Sequence, residues 1–305
     1  MNRSAPRSVD QYLAQLKAAL AGEDPALQQD ALYDAEEYLR AEIVQHADKS
    51  EADVLELIAS TYGAPEEVAD AYRTTEATVR AALATPAPRR RQSALGRFFA
   101  VFADSRAYTS LFFMLLSLAT GILYFTIAVT GISVSAGLLV LIIGIPFFLL
   151  FLGLVRVLAL AEGRLVEALT GTRMPRRPVY PRSAAPWYER IVEMLKDRHT
   201  WTALLYMFLQ FPLGIIYFVV AVTGLSLGLG LIGGSIFHVL VETGAVNLPP
   251  DAQANWSPIW AVPLVMATGV LVLTLLMHLA RAIGMMHGHL AKALLVRPAG
   301  AVEAA

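Results

Sequence analysis

The chain has 305 residues, of which 56 % are hydrophobic and only 16 % are charged. A soluble domain carries about 25 % charged residues, so this composition excludes an ordinary water-soluble protein and indicates a membrane protein. Because the sequence has no cysteine, it also excludes a disulfide framework, a thiolate metal site and a thiol nucleophile.

Residues 1–80 are acidic, with sixteen Asp and Glu against seven Lys and Arg, although the net charge of the whole chain is -1. Their apolar residues recur at spacings of three and four, which is typical of short amphipathic helices. Asp24–Pro25 and Ser50 predict helix starts, and Gly63–Ala64–Pro65 predicts the end of one helix and the start of another. Because no apolar signal-peptide core precedes them, we expect a small helical domain in the cytoplasm.

The second predicted helix of this domain carries an acidic face. Its residues are Asp34, Glu36, Glu37 and Glu42. A solvated helix face explains such a charge pattern, and a surface for a protein partner is the functional alternative.

Three segments of the acidic domain resemble one known family. They are "YLAQLKAAL" (12–20), "DALYDAEEYLRAEI" (30–43) and "YGAPEEVADAY" (62–72). They are similar to the HAAS domain, which lies at the cytoplasmic N-terminus of many bacterial membrane proteins. The chain departs from the family at Ala47–Lys49, where a glycine is usual. The resemblance implies a PadR-type transcriptional regulator as partner, without direct nucleic-acid binding by this chain.

A basic linker follows over residues 81–100, rich in alanine and proline. Its four arginines are Arg89, Arg90, Arg91 and Arg97. Beside an anionic leaflet each arginine contributes about 1 kcal/mol, so the linker is predicted to contact membrane lipids.

Four apolar segments are each long enough to cross a hydrocarbon core of ~30 Å. The predicted spans are 108–130, 136–158, 201–223 and 258–280. Residues 159–200 contain eight Lys and Arg, so the positive-inside rule predicts that this loop and both termini lie in the cytoplasm. The HAAS resemblance implies that the membrane is a bacterial inner membrane. Pro146, Pro212 and Pro263 are predicted to interrupt three of the spans.

One stretch of the chain occurs twice. "GILYFTIAVTGIS" (121–133) and "GIIYFVVAVTGLS" (214–226) share nine of thirteen residues at an offset of 93. A weaker match follows between "RVLALAEGRLVEAL" (156–169) and "RAIGMMHGHLAKAL" (281–294), at an offset of 125. Each copy would therefore contain two spans in the same orientation.

The predicted fold is all-α, with a four-span bundle over residues 101–297 made of two tandem hairpins. The first repeat covers about 104–175 and the second about 197–297, and residues 298–305 form a disordered tail. Small residues in the repeated stretch favour close helix packing. Tyr124 and Tyr217 occupy matching positions, so a ligand contact is the alternative interpretation for them.

Ionisable residues inside a membrane are functional candidates because burying a charge in hydrocarbon is costly. Arg156 and Arg281 qualify, at matching positions near the ends of the second and fourth spans. They either extend to lipid phosphates or bridge the bundle to acidic residues. His278, one turn before Arg281, is a candidate for the same polar group.

Residues 225–243 form an apolar, glycine-rich insertion before the last span, and the sequence leaves open whether it is interfacial or re-entrant. His238 and Glu242 lie four residues apart, which would place them on one helix face as a proton or cation site. His287 and His289 are interpreted as ordinary interfacial histidines, and "EGRLVEALTG" (162–171) as a surface helix. No metal site is expected.

The chain contains no nucleophile elbow, P-loop, dinucleotide fingerprint, zinc-protease motif or kinase signature. We therefore expect no enzymatic activity and no cofactor. A transport or lipid-handling component, or a passive anchor for residues 1–80, are the alternatives to a regulatory role, and a homo-oligomer is compatible with each.

Residues 100–295 resemble the sensor domain that precedes kinase modules in some bacterial two-component proteins. The resemblance is carried by "LVRVLALAEGRLVEALTGTRMP" (154–175) and "WYERIVEMLKDRHTWTALLYMFLQFPLGIIYFVVAVTG" (187–224). It implies a membrane sensor. Because no kinase follows "VRPAGAVEAA", the signal is expected to leave through another protein.

Overall fold

The computed structural model describes residues 5–46, 48–83, 93–138, 144–175, 195–247, 249 and 258–296. Its α-helices are α1 (Val9–Ala19), α2 (Pro25–Gln45), α3 (Glu51–Ala59), α4 (Pro65–Leu83), α5 (Ala94–Phe99), α6 (Ser105–Leu138), α7 (Gly144–Thr170), α8 (Arg198–Glu242) and α9 (Val262–Leu295). The described residues contain no strand, so the all-α prediction is confirmed for them.

Helices α2, α3 and α4 begin where the sequence predicts. The Asp24 carboxylate accepts a hydrogen bond from the Ala26 amide, with Pro25 in the first turn of α2. The Ser50 hydroxyl accepts one from the Asp53 amide at the start of α3. These caps pair amides that would otherwise lack partners at helix starts.

The four N-terminal helices enclose an apolar core of their own. Its fully buried members include Leu16, Leu20, Leu39 and Val54. Gly63, in the turn between α3 and α4, adopts a φ of 101°, a conformation that glycine adopts without a Cβ clash. The Gly63 carbonyl accepts a hydrogen bond from the Tyr12 hydroxyl at 2.9 Å, which ties this turn to α1.

Four helices are long and apolar enough to span a membrane, namely α6, α7, α8, and α9 together with the 3₁₀ turn before it. Only 17–33 % of the most apolar stretch of each helix is buried within the protein. Their remaining apolar surface faces outward, as lipid-facing helices require. The chain is therefore a multi-pass membrane protein, as its composition predicts.

Helix α8 corrects the prediction for residues 225–243. It has 45 residues and runs without interruption to Glu242, a length of about 67 Å at 1.5 Å per residue. The segment is neither a separate interfacial helix nor a re-entrant loop. Its glycines weaken a helix by about 1 kcal/mol each, but no proline stops it. Gly228 also packs against Gly269 of α9, which favours the straight continuation.

Two further predictions about these helices are wrong. Helix α7 continues to Thr170, so "EGRLVEALTG" extends a membrane helix instead of forming a surface helix. None of the three prolines interrupts its helix, and only Pro212 lies in a helix interior, where α8 continues through it. Pro146 and Pro263 lie in the first turns of α7 and α9. A backbone N–H in the first turn has no partner within the helix, so proline breaks no hydrogen bond there.

Helices α6 and α8 make the closest backbone contact of the bundle at two glycines. A Cβ built on Gly121 would lie 2.7 Å from the Gln210 carbonyl oxygen, and one on Gly214 would overlap the Ser117 carbonyl oxygen. Glycine is therefore required at both positions. Helices α6 and α8 begin, and α7 and α9 end, at the same end of the bundle, which is called the docking end below because α1 to α4 contact it.

Candidate functional site: a buried polar cluster

The four long helices enclose a group of polar side chains. This polar cluster consists of Tyr124 on α6, Glu162 on α7, Tyr206, Gln210 and Tyr217 on α8, and His287 on α9. Each member is at most 5 % exposed. Polar groups are costly to bury between apolar helices unless they bond to one another, so the cluster is a candidate functional site.

Glu162 joins α7 to both neighbouring helices. The Tyr124 hydroxyl donates to Oε2 of Glu162 at 2.9 Å, and the Tyr206 hydroxyl lies 2.8 Å from Oε1. Glu162 itself is 1 % exposed. Its carboxylate thus links α6, α7 and α8 at one point.

His287 brings α9 into the same network. Its Nε2 atom lies 2.8 Å from the Tyr206 hydroxyl, and its Nδ1 atom lies 3.4 Å from the Tyr217 hydroxyl. The ring packs against Phe113 of α6, with centroids 4.7 Å apart. Tyr206 therefore stands between the carboxylate and the imidazole and contacts both.

Gln210 borders the carboxylate but is incompletely bonded. Its Nε2 atom donates to the Thr120 hydroxyl at 3.2 Å and lies 3.5 Å from Oε1 of Glu162. Its Oε1 atom is buried and has no hydrogen-bond partner within the described part of the chain. A buried acceptor without a donor is unusual and calls for an explanation.

The segment that follows α7 contacts the helices directly beside Glu162 and His287. A Cβ built on Gly163 would lie 3.6 Å from Cβ of Met174, and one built on Gly288 would overlap the Thr172 side chain. Gly171, with a φ of 74°, turns the chain back after α7. Residues 172–174 therefore lie against the backbone next to both ionisable members of the cluster.

Arg173, in the middle of this segment, connects the bundle to the N-terminal helices. Its guanidinium contacts Asp30 of α2 at 3.1 Å and Glu76 of α4 at 2.8 Å. A second contact joins Lys292 of α9 to Asp24 at the start of α2. Arg173 lies just beyond the end of α7, and Lys292 follows His287 by five residues within α9.

The structure places Arg156 and Arg281 in ion pairs near the docking end. Arg156 contacts Asp197 at 2.9 Å, and Arg281 contacts Asp104 at 3.1 Å. Arg156 also donates to the Thr200 hydroxyl. Of the two alternatives for these arginines, the bridge to acidic residues is present.

The remaining predicted basic residues lie apart from the cluster. His278 accompanies neither arginine pair, because its Nε2 atom lies 2.9 Å from the Phe98 carbonyl oxygen of α5. Arg97 is exposed on α5. Arg89, Arg90 and Arg91 fall outside the described residues.

The predicted acidic surface of α2 is divided by its contacts. Asp34 accepts a hydrogen bond from the Tyr72 hydroxyl at 2.9 Å, so it faces α4 and not a partner surface. Burial and the charge of Asp34 raise the pKa of Tyr62 to about 12. Glu36 pairs with Arg40.

Of the other two acidic residues, Glu42 lies 3.7 Å from His46, and Glu37 is exposed. Of the four predicted surface residues, only Glu37 is exposed. The acidic residues of the N-terminal helices that contact the bundle through Arg173 and Lys292 are Asp24, Asp30 and Glu76.

His238 and Glu242 lie on one face of α8, as their spacing predicts. The His238 imidazole is 3.6 Å from the Glu242 carboxylate, with side-chain exposures of 4 % and 58 %. Their role as a proton or cation site remains a prediction. In the described ranges, no three His, Asp or Glu side chains form a group that could hold a metal ion.

Sequence reasoning missed Glu162 and misjudged His287. The span was predicted to end at residue 158, which left Glu162 outside the membrane, and His287 is fully buried instead of interfacial. The signal that could have found them is the weaker repeat, in which Glu162 and His287 align at the offset of 125.

A comparison with protein families finds one matching model, described as "Putative sensor", over residues 113–295. That range contains every member of the polar cluster. No curated protein and no solved structure matches the chain significantly.

Proposed function

The chain belongs to this sensor family, and from that premise we propose that it is a non-enzymatic membrane sensor. In this proposal, the polar cluster receives a membrane-located stimulus. The segment 172–174 passes the resulting movement to α1 to α4, which present a changed surface to a soluble protein.

One observation carries the proposal: the contacts from the cluster to the N-terminal helices are continuous. Gly163 follows Glu162 and packs beside Met174, and Gly288 follows His287 and packs against Thr172. Arg173 lies between these two contacts and bonds α2 and α4. A shift of α7 relative to α9 would therefore change the position of Arg173.

A sensor also needs two packing arrangements that its stimulus stabilises unequally. The duplicated hairpin is part of the proposal, because two similar halves can pack in related ways. Matching contacts support it. Gly131 faces Phe151 in the first hairpin and Gly224 faces Leu276 in the second, at offsets of 93 for the glycines and 125 for their partners.

We further propose that the docking end lies on the cytoplasmic side of a bacterial inner membrane. The eight Lys and Arg of residues 159–200 support that orientation. The resemblance of residues 12–72 to HAAS domains suggests a cytoplasmic regulator as the receiving protein. In this role the exposed Glu37 would belong to the partner surface.

The test is hydrogen exchange of α2 and α4 in the full-length protein in lipid nanodiscs. Glu162→Gln removes the charge that holds α6, α7 and α8 together, so we expect faster exchange in both helices, far from the substitution. The matched control is Glu167→Gln, which removes a carboxylate from the same helix outside the cluster and should change the exchange of α2 and α4 far less than Glu162→Gln.

A second variant separates docking from sensing. Arg173→Ala with Lys292→Ala removes the docking contacts themselves and should give the largest increase in exchange. Adding Glu162→Gln to that variant should then have no further effect on α2 and α4. If Glu162→Gln alone leaves both helices as protected as in the wild type, the proposed connection does not exist.

A further inference from the structure

We propose that the stimulus bound by the polar cluster is a proton, taken up by the Glu162 carboxylate from water. This inference rests on the proposed function, since it names the ligand of the same site. It is argued from the hydrogen-bond geometry of the cluster.

The hydrogens of the cluster can be counted from its donors and acceptors. The Tyr206 hydroxyl has one hydrogen, yet it lies 2.8 Å from both Oε1 of Glu162 and Nε2 of His287. If Glu162 is ionised, Tyr206 donates to it, and His287 must donate from Nε2 to the Tyr206 oxygen. Nδ1 of a neutral His287 then accepts from the Tyr217 hydroxyl.

This arrangement bonds both ionisable members but leaves one net negative charge between apolar helices. Adding one proton makes the cluster neutral. On His287 the proton would create a cation while the carboxylate stays charged, so two ions would remain buried. On Glu162 it removes the charge altogether, which is the less costly state in a low-dielectric interior.

The cluster already contains an acceptor for that proton. Among the described residues, no donor meets the buried Oε1 of Gln210, and its amide nitrogen lies 3.5 Å from Glu162. Amide oxygen and nitrogen are interchangeable by a rotation of the Gln210 amide. The rotated oxygen would face Glu162 and accept a hydrogen bond from its protonated carboxyl group.

The titratable groups that face Glu162 and His287 come from each helix packed on them. They are Tyr124 from α6 and Tyr206 and Tyr217 from α8. Glu162 and His287 also belong to this set, because Tyr206 joins them. Tyrosine hydroxyls ordinarily keep their protons near neutral pH. The exchangeable proton therefore belongs to the carboxylate and imidazole pair.

Proton uptake would weaken the bonds that hold α7. Hydrogen bonds to a carboxylate are roughly twice as strong as bonds between neutral groups, and Glu162 accepts two of them. Their weakening would release α7 from α6 and α8. The movement would reach Arg173 through Met174.

The experiment is a pH titration of the full-length protein in nanodiscs, followed by infrared difference spectroscopy. We expect one carbonyl band, from a protonated carboxyl group inside the cluster, to grow with acid and to be missing in Glu162→Gln, where the other carboxyl groups still titrate. The band should persist in Glu167→Gln. Glu162→Asp, which keeps a carboxyl group, should shift the titration midpoint without abolishing the band.

Two results would overturn the proposal. One is a Glu162 carboxyl group that stays in a single form from about pH 4 to about pH 10, a range that covers the ordinary titration of Glu and His. The other is ionisation of Glu162 on adding Na⁺ or K⁺ at constant pH, which would make a metal cation the ligand.

The titration and the exchange experiment fail independently. If the Glu162 band titrates but α2 and α4 do not respond to Glu162→Gln, the cluster binds a proton and the proposed sensing connection is wrong. If both helices respond to the substitution but the band does not titrate, the connection stands and the ligand is not a proton.

Discussion

The helical pair α6 and α7 and the helical pair α8 and α9 use matching residues where they pack together. Gly121 of α6 lies against Gln210 of α8, and Gly214 of α8 lies against Ser117 of α6. Gly121 and Gly214 lie 93 residues apart in sequence, and so do Ser117 and Gln210. The crossing of α6 and α8 therefore contains the same glycine contact twice, with the roles of the two helices exchanged.

The two pairs differ where they enclose the polar cluster. Glu162 of α7 and His287 of α9 align in sequence and meet at Tyr206, but one is an acid and the other is a base. The glycines at matching packing positions are alike, whereas the ionisable residues of the cluster at matching positions differ. The cluster is therefore the place where the two pairs are chemically unlike, and the following predictions test each side of that contrast.

The largest effect is expected at the glycine contact. Gly214→Ala places a Cβ against the Ser117 backbone and should lower the free energy of unfolding by about 3 kcal/mol, with a similar loss for Gly121→Ala. Unfolding in mixed micelles measures both. Gly230→Ala is the control on the same helix, because no atom lies within 4 Å of its added Cβ. Equal stability of Gly214→Ala and Gly230→Ala would contradict the close crossing.

The next effect separates the two tyrosines that face His287. Tyr206→Phe leaves Oε1 of Glu162 and Nε2 of His287 without their shared partner and should cost about 2 kcal/mol. Tyr217→Phe removes only a contact of 3.4 Å and should cost less than about 1 kcal/mol. The same unfolding measurement compares them, and a larger loss for Tyr217→Phe would contradict the central position of Tyr206.

The two arginine pairs should differ in strength although their positions match. Asp197→Asn should cost about 1–2 kcal/mol, because it removes the charge that Arg156 faces in a partly buried pair. Asp104→Asn should cost less than about 1 kcal/mol, because the Arg281 side chain is 50 % exposed. Unfolding at low and high salt distinguishes them: only the Asp104 pair should weaken markedly with salt. Equal costs would remove this difference between the pairs.

The smallest effect on stability is expected beside the cluster. Gly288→Ala displaces the Thr172 side chain and should lower the free energy of unfolding by no more than about 1 kcal/mol, because the clash is with side chains and not with a helix backbone. It should nevertheless speed hydrogen exchange in α2 and α4. Gly163→Ala, whose Cβ would lie at an ordinary contact distance of 3.6 Å, should not. Unchanged exchange in Gly288→Ala would remove Thr172 from the proposed connection.

Local signals in the sequence predicted much of the fold. The side-chain oxygens of Asp24 and Ser50 accept hydrogen bonds from amides two and three residues later, and such residues mark the start of a helix. The apolar segments identified four membrane helices. These features depend on neighbouring residues alone, so the sequence contains them directly.

The candidate site could be predicted only in part. Tyr124 and Tyr217 were noticed because they recur in the repeat, but their partners Glu162 and His287 were not. A single Glu beyond a predicted span looks solvated, and only the continuation of α7 to Thr170 buries it. The bonds of Arg173 to Asp30 and Glu76 join residues far apart in sequence, and no local pattern indicates them.

The most direct test of the connection between cluster and N-terminal helices is a distance measured between spin labels. Because the chain has no cysteine, Thr75→Cys on α4 and Ala293→Cys on α9 give two unique labelling sites, both exposed. In the wild-type background we expect one short distance, and with Glu162→Gln a second, longer population. Identical distributions with and without Glu162→Gln, in a protein whose distance does lengthen with Arg173→Ala and Lys292→Ala, would contradict the account.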